Sequence, residues 1–167
     1  MIIDFEGEKM LESSYKNLDE IDREILVLVQ ENGRISNAEL SRRLNLSPPA
    51  THARVRRLER EGLIEAYAGL LSRAKLGYDL LCFVLVGLTV HQFEHVYGFR
   101  ERVLAMPEVL ECYNITGEYD YLLKVVLRNR EDLERFVVGE LTPLPGVARL
   151  QTSLVLSEVK ASTKLPI

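Results

Sequence analysis

Arginine is where this sequence concentrates its chemistry. Residues 34 to 60 hold Arg34, Arg42, Arg43, Arg54, Arg56, Arg57 and Arg60 against only Glu39 and Glu59, with no lysine. That segment carries a net +5 in a chain of 167 residues whose total is −4, so the rest sums to −9. A local basic patch on an acidic chain is the electrostatic footprint of a DNA-binding module joined to something else. A second stretch, Gly117-Glu118-Tyr119-Asp120, has a different chemistry. Gly117 can adopt positive φ and present backbone N–H groups, while Asp120 offers a carboxylate to an ammonium group. A small loop with both features suits the two ends of an amino acid, and it also suits a plain hairpin turn.

Other constellations imply less. His91 and His95 have the spacing of a metal pair, with Glu94 between them, but no third ligand is apparent, so no metal and no cofactor are expected. Cys82 and Cys112 fall in apolar stretches and are expected to pack as small apolar side chains. Two cysteines make no disulfide framework. No Ser/His/Asp triad, P-loop or G-x-G-x-x-G pattern is present, and the sequence reads as a non-enzyme. No apolar run is long enough to span a membrane, and the acidic start lacks a basic n-region, which points to the cytoplasm.

The elements that position these groups follow from periodicity. Residues 1–17 read as a tail. Asp19 can N-cap a helix in which Ile21, Ile25, Leu28 and Val29 share a face. Asn32-Gly33 is expected to end it with residues that tolerate positive φ. Ser36 to Glu39 has the spacing of a capping box, and Leu40 and Leu44 form the apolar face that follows. A third helix begins at Ser47 with Pro48 at its first position, turns Thr51, Val55 and Leu58 inward, and closes at Gly62. Three short helices with the arginines on the last read as a helix-turn-helix over 18–64. Residues 63–71 have the composition of a strand, either a wing or the start of a connector. Residues 65–79 as a whole make the strand and linker, with 72–79 the best linker.

From residue 80 the pattern changes. Strands are expected over 80–90, 109–116, 121–128 and 147–160. A helix is expected over 91–106, and another after Asn129 with Leu133, Phe136, Val137, Glu140 and Leu141 on one face. The order is βαββαβ, so residues 80–167 read as a ferredoxin-like domain and the fold class as α+β, with an N-terminal winged helix-turn-helix. The first strand is apolar on both faces, with Cys82, Val84, Val86 and Leu88 on one and Leu81, Phe83 and Leu85 on the other. Helices cover one face only, so a second copy is expected to cover the other.

The runs 18–26, 32–41, 46–48 and 54–62, together with Thr116-Gly117-Glu118-Tyr119-Asp120-Tyr121-Leu122-Leu123-Lys124, Leu144-Pro145-Gly146-Val147 and residues 160–166, closely resemble the leucine-responsive regulatory protein / asparagine regulator (Lrp/AsnC) family. The resemblance runs from about residue 18 to the end. It implies a transcription regulator with an amino-acid-sensing domain, forming homodimers that assemble to tetramers or octamers. It also places the loop Gly117, Glu118, Tyr119 and Asp120 at contacts between dimers, with the last strand contributing Thr152, Ser153, Leu154 and Val155. The apolar character suggests leucine, methionine or a similar aliphatic amino acid.

At 100° per residue, Pro49, Ala53, Arg56, Arg57 and Arg60 point outward from the third helix, with Ala50 close by and His52 and Arg54 on the flanks. Pro49, Ala50 and Ala53 suit base edges and thymine methyls, and Arg57 suits guanine or a phosphate. Ser36, Asn37 and Ser47 sit at helix starts, where N–H groups favour phosphate. Arg54 fits a DNA contact or an ion pair with an acid of the first helix. Few hydrogen-bonding side chains reach the bases, so modest sequence specificity with much shape readout is expected. Two readings compete with an effector-controlled regulator. One is an effector-independent, nucleoid-type architectural protein. The other is an enzyme on the same frame, as in some haem-biosynthetic decarboxylases, which should not need the arginine-rich helix.

Overall fold

The structure is a computed structural model that describes residues 18–89 and 93–167, with side chains left aside at 93–95. The expected tail over 1–17, His91 and the side chains of Glu94 and His95 lie outside the described residues. The chain divides into two compact units. One runs up to Leu70 and takes in Ala161–Ile167 as well, and the other is Leu71–Lys160.

The first unit is built on three helices, α1 (Glu20–Glu31), α2 (Asn37–Leu44) and α3 (Pro48–Arg60). Their apolar faces meet in one core of Ile25, Leu26, Leu40, Leu44, Val55 and Leu58. Each start is capped as its sequence requires. Asp19 accepts from the Asp22 N–H at 2.8 Å while Asp22 accepts from the Asp19 N–H at 3.3 Å, a reciprocal capping box. Ser36 accepts from the Glu39 N–H at 3.2 Å, but the Glu39 carboxylate does not return to the Ser36 backbone as expected. It turns to Arg43 at 2.9 Å and to Arg42 instead. Two guanidinium groups compete better for a carboxylate than one neutral N–H.

The helix ends also differ from expectation. Asn32 closes α1 in an extended conformation, φ −145°. The left-handed residue lies after α2, where Asn45 has φ +52°. The expected strand over 63–71 does not form. The N–H groups of Leu63 and Ile64 fold back onto Leu58 O at 2.9 and 3.2 Å, and the chain then runs irregularly to residue 72. Leu70 and Leu71 are exposed. A strand needs a partner edge, and among the described residues none lies beside this segment.

The last seven residues belong to the helical unit. There the Gln30 side chain donates to Leu165 O at 3.3 Å and accepts from the Leu165 N–H at 2.6 Å.

The second unit is the βαββαβ arrangement. Its strands are β1 (Leu80–Leu88), β2 (Val109–Asn114), β3 (Tyr121–Leu127) and β4 (Val147–Leu154), in the sheet order β2-β3-β1-β4 with every pair antiparallel. Between β1 and β2 runs α4 (Phe93–Leu104). After β3, α5 (Arg130–Glu134) continues as a π-helical segment over Arg135–Leu141. The expected last strand to residue 160 stops at Leu154, its last pair with β1 being Cys82, and the Val155 N–H makes a final bond to Leu81 O at 2.9 Å.

Alternation decides the sheet's two faces. Cys82, Val84, Val86 and Leu88 pack with Leu123 and Val125 against Phe99, Val103, Phe136 and Leu141. Phe136 and Leu141 are both fully buried five positions apart, which the wider π winding permits where an α-helix would not. On the other face lie Phe83, Leu85 and Leu122, with Tyr113 exposed beside them.

Candidate nucleic-acid interface and effector loop

Helix α3 presents a narrow outward stripe. Thr51, Val55 and Leu58 are buried, so Pro49, Ala53, Arg56 and Arg60, within about 60° of one another, face away from the core. His52 is exposed on one flank, and Ala50 is half-buried. Ser47 caps the helix, its hydroxyl 3.4 Å from the Ala50 N–H. Helix α2 approaches α3 through a buried hydroxyl pair, Ser41 Oγ to Thr51 Oγ1 at 2.9 Å, which ties the second half of α2 to the first turn of α3. Ser36 and Asn37 at the start of α2 are exposed.

Arg54 and Arg57 are not in that stripe. Arg54 Nη1 lies 2.7 Å from Asp19 Oδ2 and 2.9 Å from Asp22 Oδ1, and Arg57 Nη2 bonds the other oxygen of Asp22. The Asp22 side chain is 1 % exposed. The Asp22 N–H and the Arg54 guanidinium hold the Asp19 carboxyl below the usual carboxylate range. These carboxylates in turn push the Arg54 guanidinium up.

The Gly117 loop leads from β2 into β3. Gly117 has φ +120°, a conformation that L side chains rarely adopt. The Ile115 N–H donates to Asp120 O and the Asp120 N–H to Val86 O, both at 2.9 Å. Asp120 Oδ2 accepts from the Leu88 N–H at 2.7 Å, beside the register shift in β1. At least this oxygen is therefore engaged by backbone.

The loop reaches β4, and it does so at Arg149 and Gln151. Arg149 bonds Glu118 twice, Nη1 to the carboxylate and Nη2 to the backbone oxygen, each at 2.7 Å, and its guanidinium lies 4.5 Å from the Tyr119 ring centre. The Tyr119 hydroxyl donates to Gln151 at 2.9 Å. Reading the sequence missed both residues. A signal was available: positions two apart on one strand share a face, and Arg149 pairs opposite Gly87, which leaves room for a guanidinium.

The four strand residues nominated by resemblance divide. Ser153 pairs opposite Phe83 on the open face, while Thr152 and Leu154 pair opposite Val84 and Cys82 on the helix face. Thr152 lines a shallow cavity of about 270 Å³ with Leu133, Val137, Val138, Arg130 and Glu134. Val155 follows the strand and is half-buried.

A capped helix-turn-helix unit and a βαββαβ unit with a loop turned at Gly117 define a two-part regulator, one part for DNA and one for a small ligand. Comparison with known proteins narrows that class. Residues 18–65 match the family model described as winged helix-turn-helix DNA-binding, and residues 81–165 match the one described as Lrp/AsnC ligand binding domain. The leucine-responsive regulatory protein of Escherichia coli K12 is 41% identical over 152 residues, covering 91% of this chain and 93% of that one. The transcriptional regulator AzlB of Bacillus subtilis is 35% identical over 150 residues, covering 90% and 96%. Among solved structures, a Neisseria meningitidis transcriptional regulator in complex with L-methionine superposes with a TM-score of 0.86 at 39% identity, covering 90% and 97%. The chain belongs to the Lrp/AsnC family. It is a DNA-binding transcription regulator with an amino-acid-binding domain, and its relatives are regulators and not enzymes. Among the described residues, no helix is long and apolar enough to cross a membrane.

Proposed function

We propose that this regulator reads DNA with α3 in the major groove and answers to an aliphatic amino acid, leucine, methionine or one of similar shape. Pro49, Ala50, His52, Ala53 and Arg56 form the groove-facing surface, while Ser36, Asn37 and Ser47 meet the phosphates on either side. The observation that carries this reading is the outward stripe of α3, small at its start and cationic at its end. Arg54 and Arg57 stand beside that surface, paired to α1.

The effector site we place at contacts between dimers, with Gly117, Glu118, Tyr119 and Asp120 from the loop and Thr152, Ser153, Leu154 and Val155 contributed by the last strand. The uncovered sheet face with Phe83 and Tyr113 supports a homodimer built through the sheets, and further assembly to a tetramer or octamer brings effector loops together. The L-methionine complex of the Neisseria meningitidis relative supports the ligand class. A ligand that prefers one assembly shifts the spacing of the DNA-binding heads, and with it the regulation.

Fluorescence anisotropy on a labelled duplex from the gene's own upstream region tests both parts. Binding that weakens steeply with salt, falls in Arg56→Ala and changes with a mixture of the twenty amino acids is the expected result. Binding indifferent to amino acids would favour the architectural reading, and an unaffected Arg56→Ala would refute the placement of α3.

A further inference from the structure

We infer that Asp22 is a positioning residue that withdraws Arg54 and Arg57 from the DNA, so that the helix-turn-helix contacts phosphate with fewer cations than its arginines suggest. The carboxylate sits on α1, is 1 % exposed, and meets one guanidinium on each oxygen: Arg54 at 2.9 Å on Oδ1 and Arg57 on Oδ2. Arg54 is shared with Asp19 at 2.7 Å. Two carboxylates and two guanidinium groups thus form a cluster of zero net charge across α1 and α3. A buried carboxylate is stable only when its charge is matched, and removing either side leaves the other uncompensated. The cluster is therefore a fixed part of the head and not a set of loose surface cations.

The same accounting extends over the patch. Arg42 and Arg43 share Glu39, and Arg56 lies 3.8 Å from Glu59. Among the described residues, only Arg34 and Arg60 of the seven have no carboxylate partner. The +5 of residues 34–60 falls to +3 once Asp19 and Asp22 are counted with it. Meanwhile the two captured arginines brace α3 against α1 and fix which residues of α3 face outward. Asp22 thereby trades affinity for any DNA against a defined reading surface.

The salt dependence of binding measures the difference. Full-length protein is titrated onto a duplex of about 30 bp with no designed site, at salt from about 50 to 200 mM, and log K is plotted against log salt. Each additional phosphate contact steepens the slope by about 0.9. Asp22→Asn keeps the shape and removes the charge, so it is expected to steepen the slope by about 1–2 per bound head, which over that salt range means about tenfold more affinity lost. Adding Arg57→Gln to Asp22→Asn is expected to take about half of the gain back. An unchanged or shallower slope in a folded Asp22→Asn overturns the inference. If that variant does not fold, Arg57→Gln alone decides. An arginine already on phosphate costs about 0.9 per head when removed, whereas one held by Asp22 costs less than half of that.

Discussion

Two glycines of the second unit offer the same substitution with opposite expected signs. Gly98 lies inside α4 and Gly117 in the loop between β2 and β3, and a Cβ added at either meets nothing within 4 Å. Steric clash with neighbours is therefore absent from both, and only the backbone differs. At Gly98 the helix suits alanine better than glycine, so Gly98→Ala gains about 0.5–1 kcal/mol. At Gly117 the φ of +120° costs an L side chain about 1–3 kcal/mol, and the stiffer unfolded chain returns about 0.4–1 of that. Gly117→Ala therefore loses about 1–2 kcal/mol. For a unit of this size the melting temperature rises by about 3–6 °C in the first variant and falls by about 5–10 °C in the second. Scanning calorimetry on the full chain measures both. A semisynthetic D-alanine at position 117, which favours positive φ, should be neutral or stabilising. Gly117→Ala as stable as wild type, or a destabilising D-alanine, would refute the argument from backbone strain.

Three further outcomes are expected. Phe136→Ala opens a cavity where the π segment meets the sheet and should cost about 3–5 kcal/mol by urea titration, whereas a loss under about 1 would mean the segment rewinds. Asp19, Glu39 and Glu111 are held below the usual carboxylate range, Asp19 by the Asp22 N–H and Arg54, Glu39 by Arg43 and Arg42, and Glu111 by Lys124 and Tyr113. Each stabilises the fold in its ionised form, so melting temperature should stay level above about pH 5 and fall progressively below the ordinary values of 3.8 and 4.5; a rise on acidification contradicts this. Gln30→Ala loses both bonds to Leu165, worth about 1 kcal/mol together at an exposed site, and carboxypeptidase should trim the last residues about fivefold faster.

What could be read from the sequence was whatever local chemistry decides. Ser47-Pro48 announces a helix start because hydroxyl and ring act on their own turn, and α3 begins there. The inward set Thr51, Val55 and Leu58 follows from 100° per residue and is buried. The βαββαβ order follows from changes of period. What stayed hidden depends on partners far along the chain. Residues 63–71 have a strand's composition and no edge to pair with. The last strand is expected to run to residue 160, yet its pairing with β1 ends at Leu154. The ion pair of Arg54 with an acid of the first helix was one of two readings the sequence offered, but that Asp22 takes Arg57 as well, thirty-five residues away, shows only in the fold. Arg149 and Gln151 needed the register of β1 with β4 to be seen beside the Gly117 loop. The extended Asn32 shows that Asn-Gly marks a helix end without fixing its geometry, and the left-handed turn falls instead at Asn45, which no glycine follows.

The return of Ala161–Ile167 to the helical unit makes that unit discontinuous in sequence, with the sensing unit spliced into it. A fragment cut after Leu70 is therefore not the whole head, because it lacks the strand of backbone that the Gln30 amide grips in the manner of a ladder pair. Isolating the head means deleting residues 71–160 and joining the two remaining segments with a flexible linker. The sensing unit, conversely, is the piece a protein engineer would exchange as a cassette, since both of its chain ends lead into the same DNA-binding body.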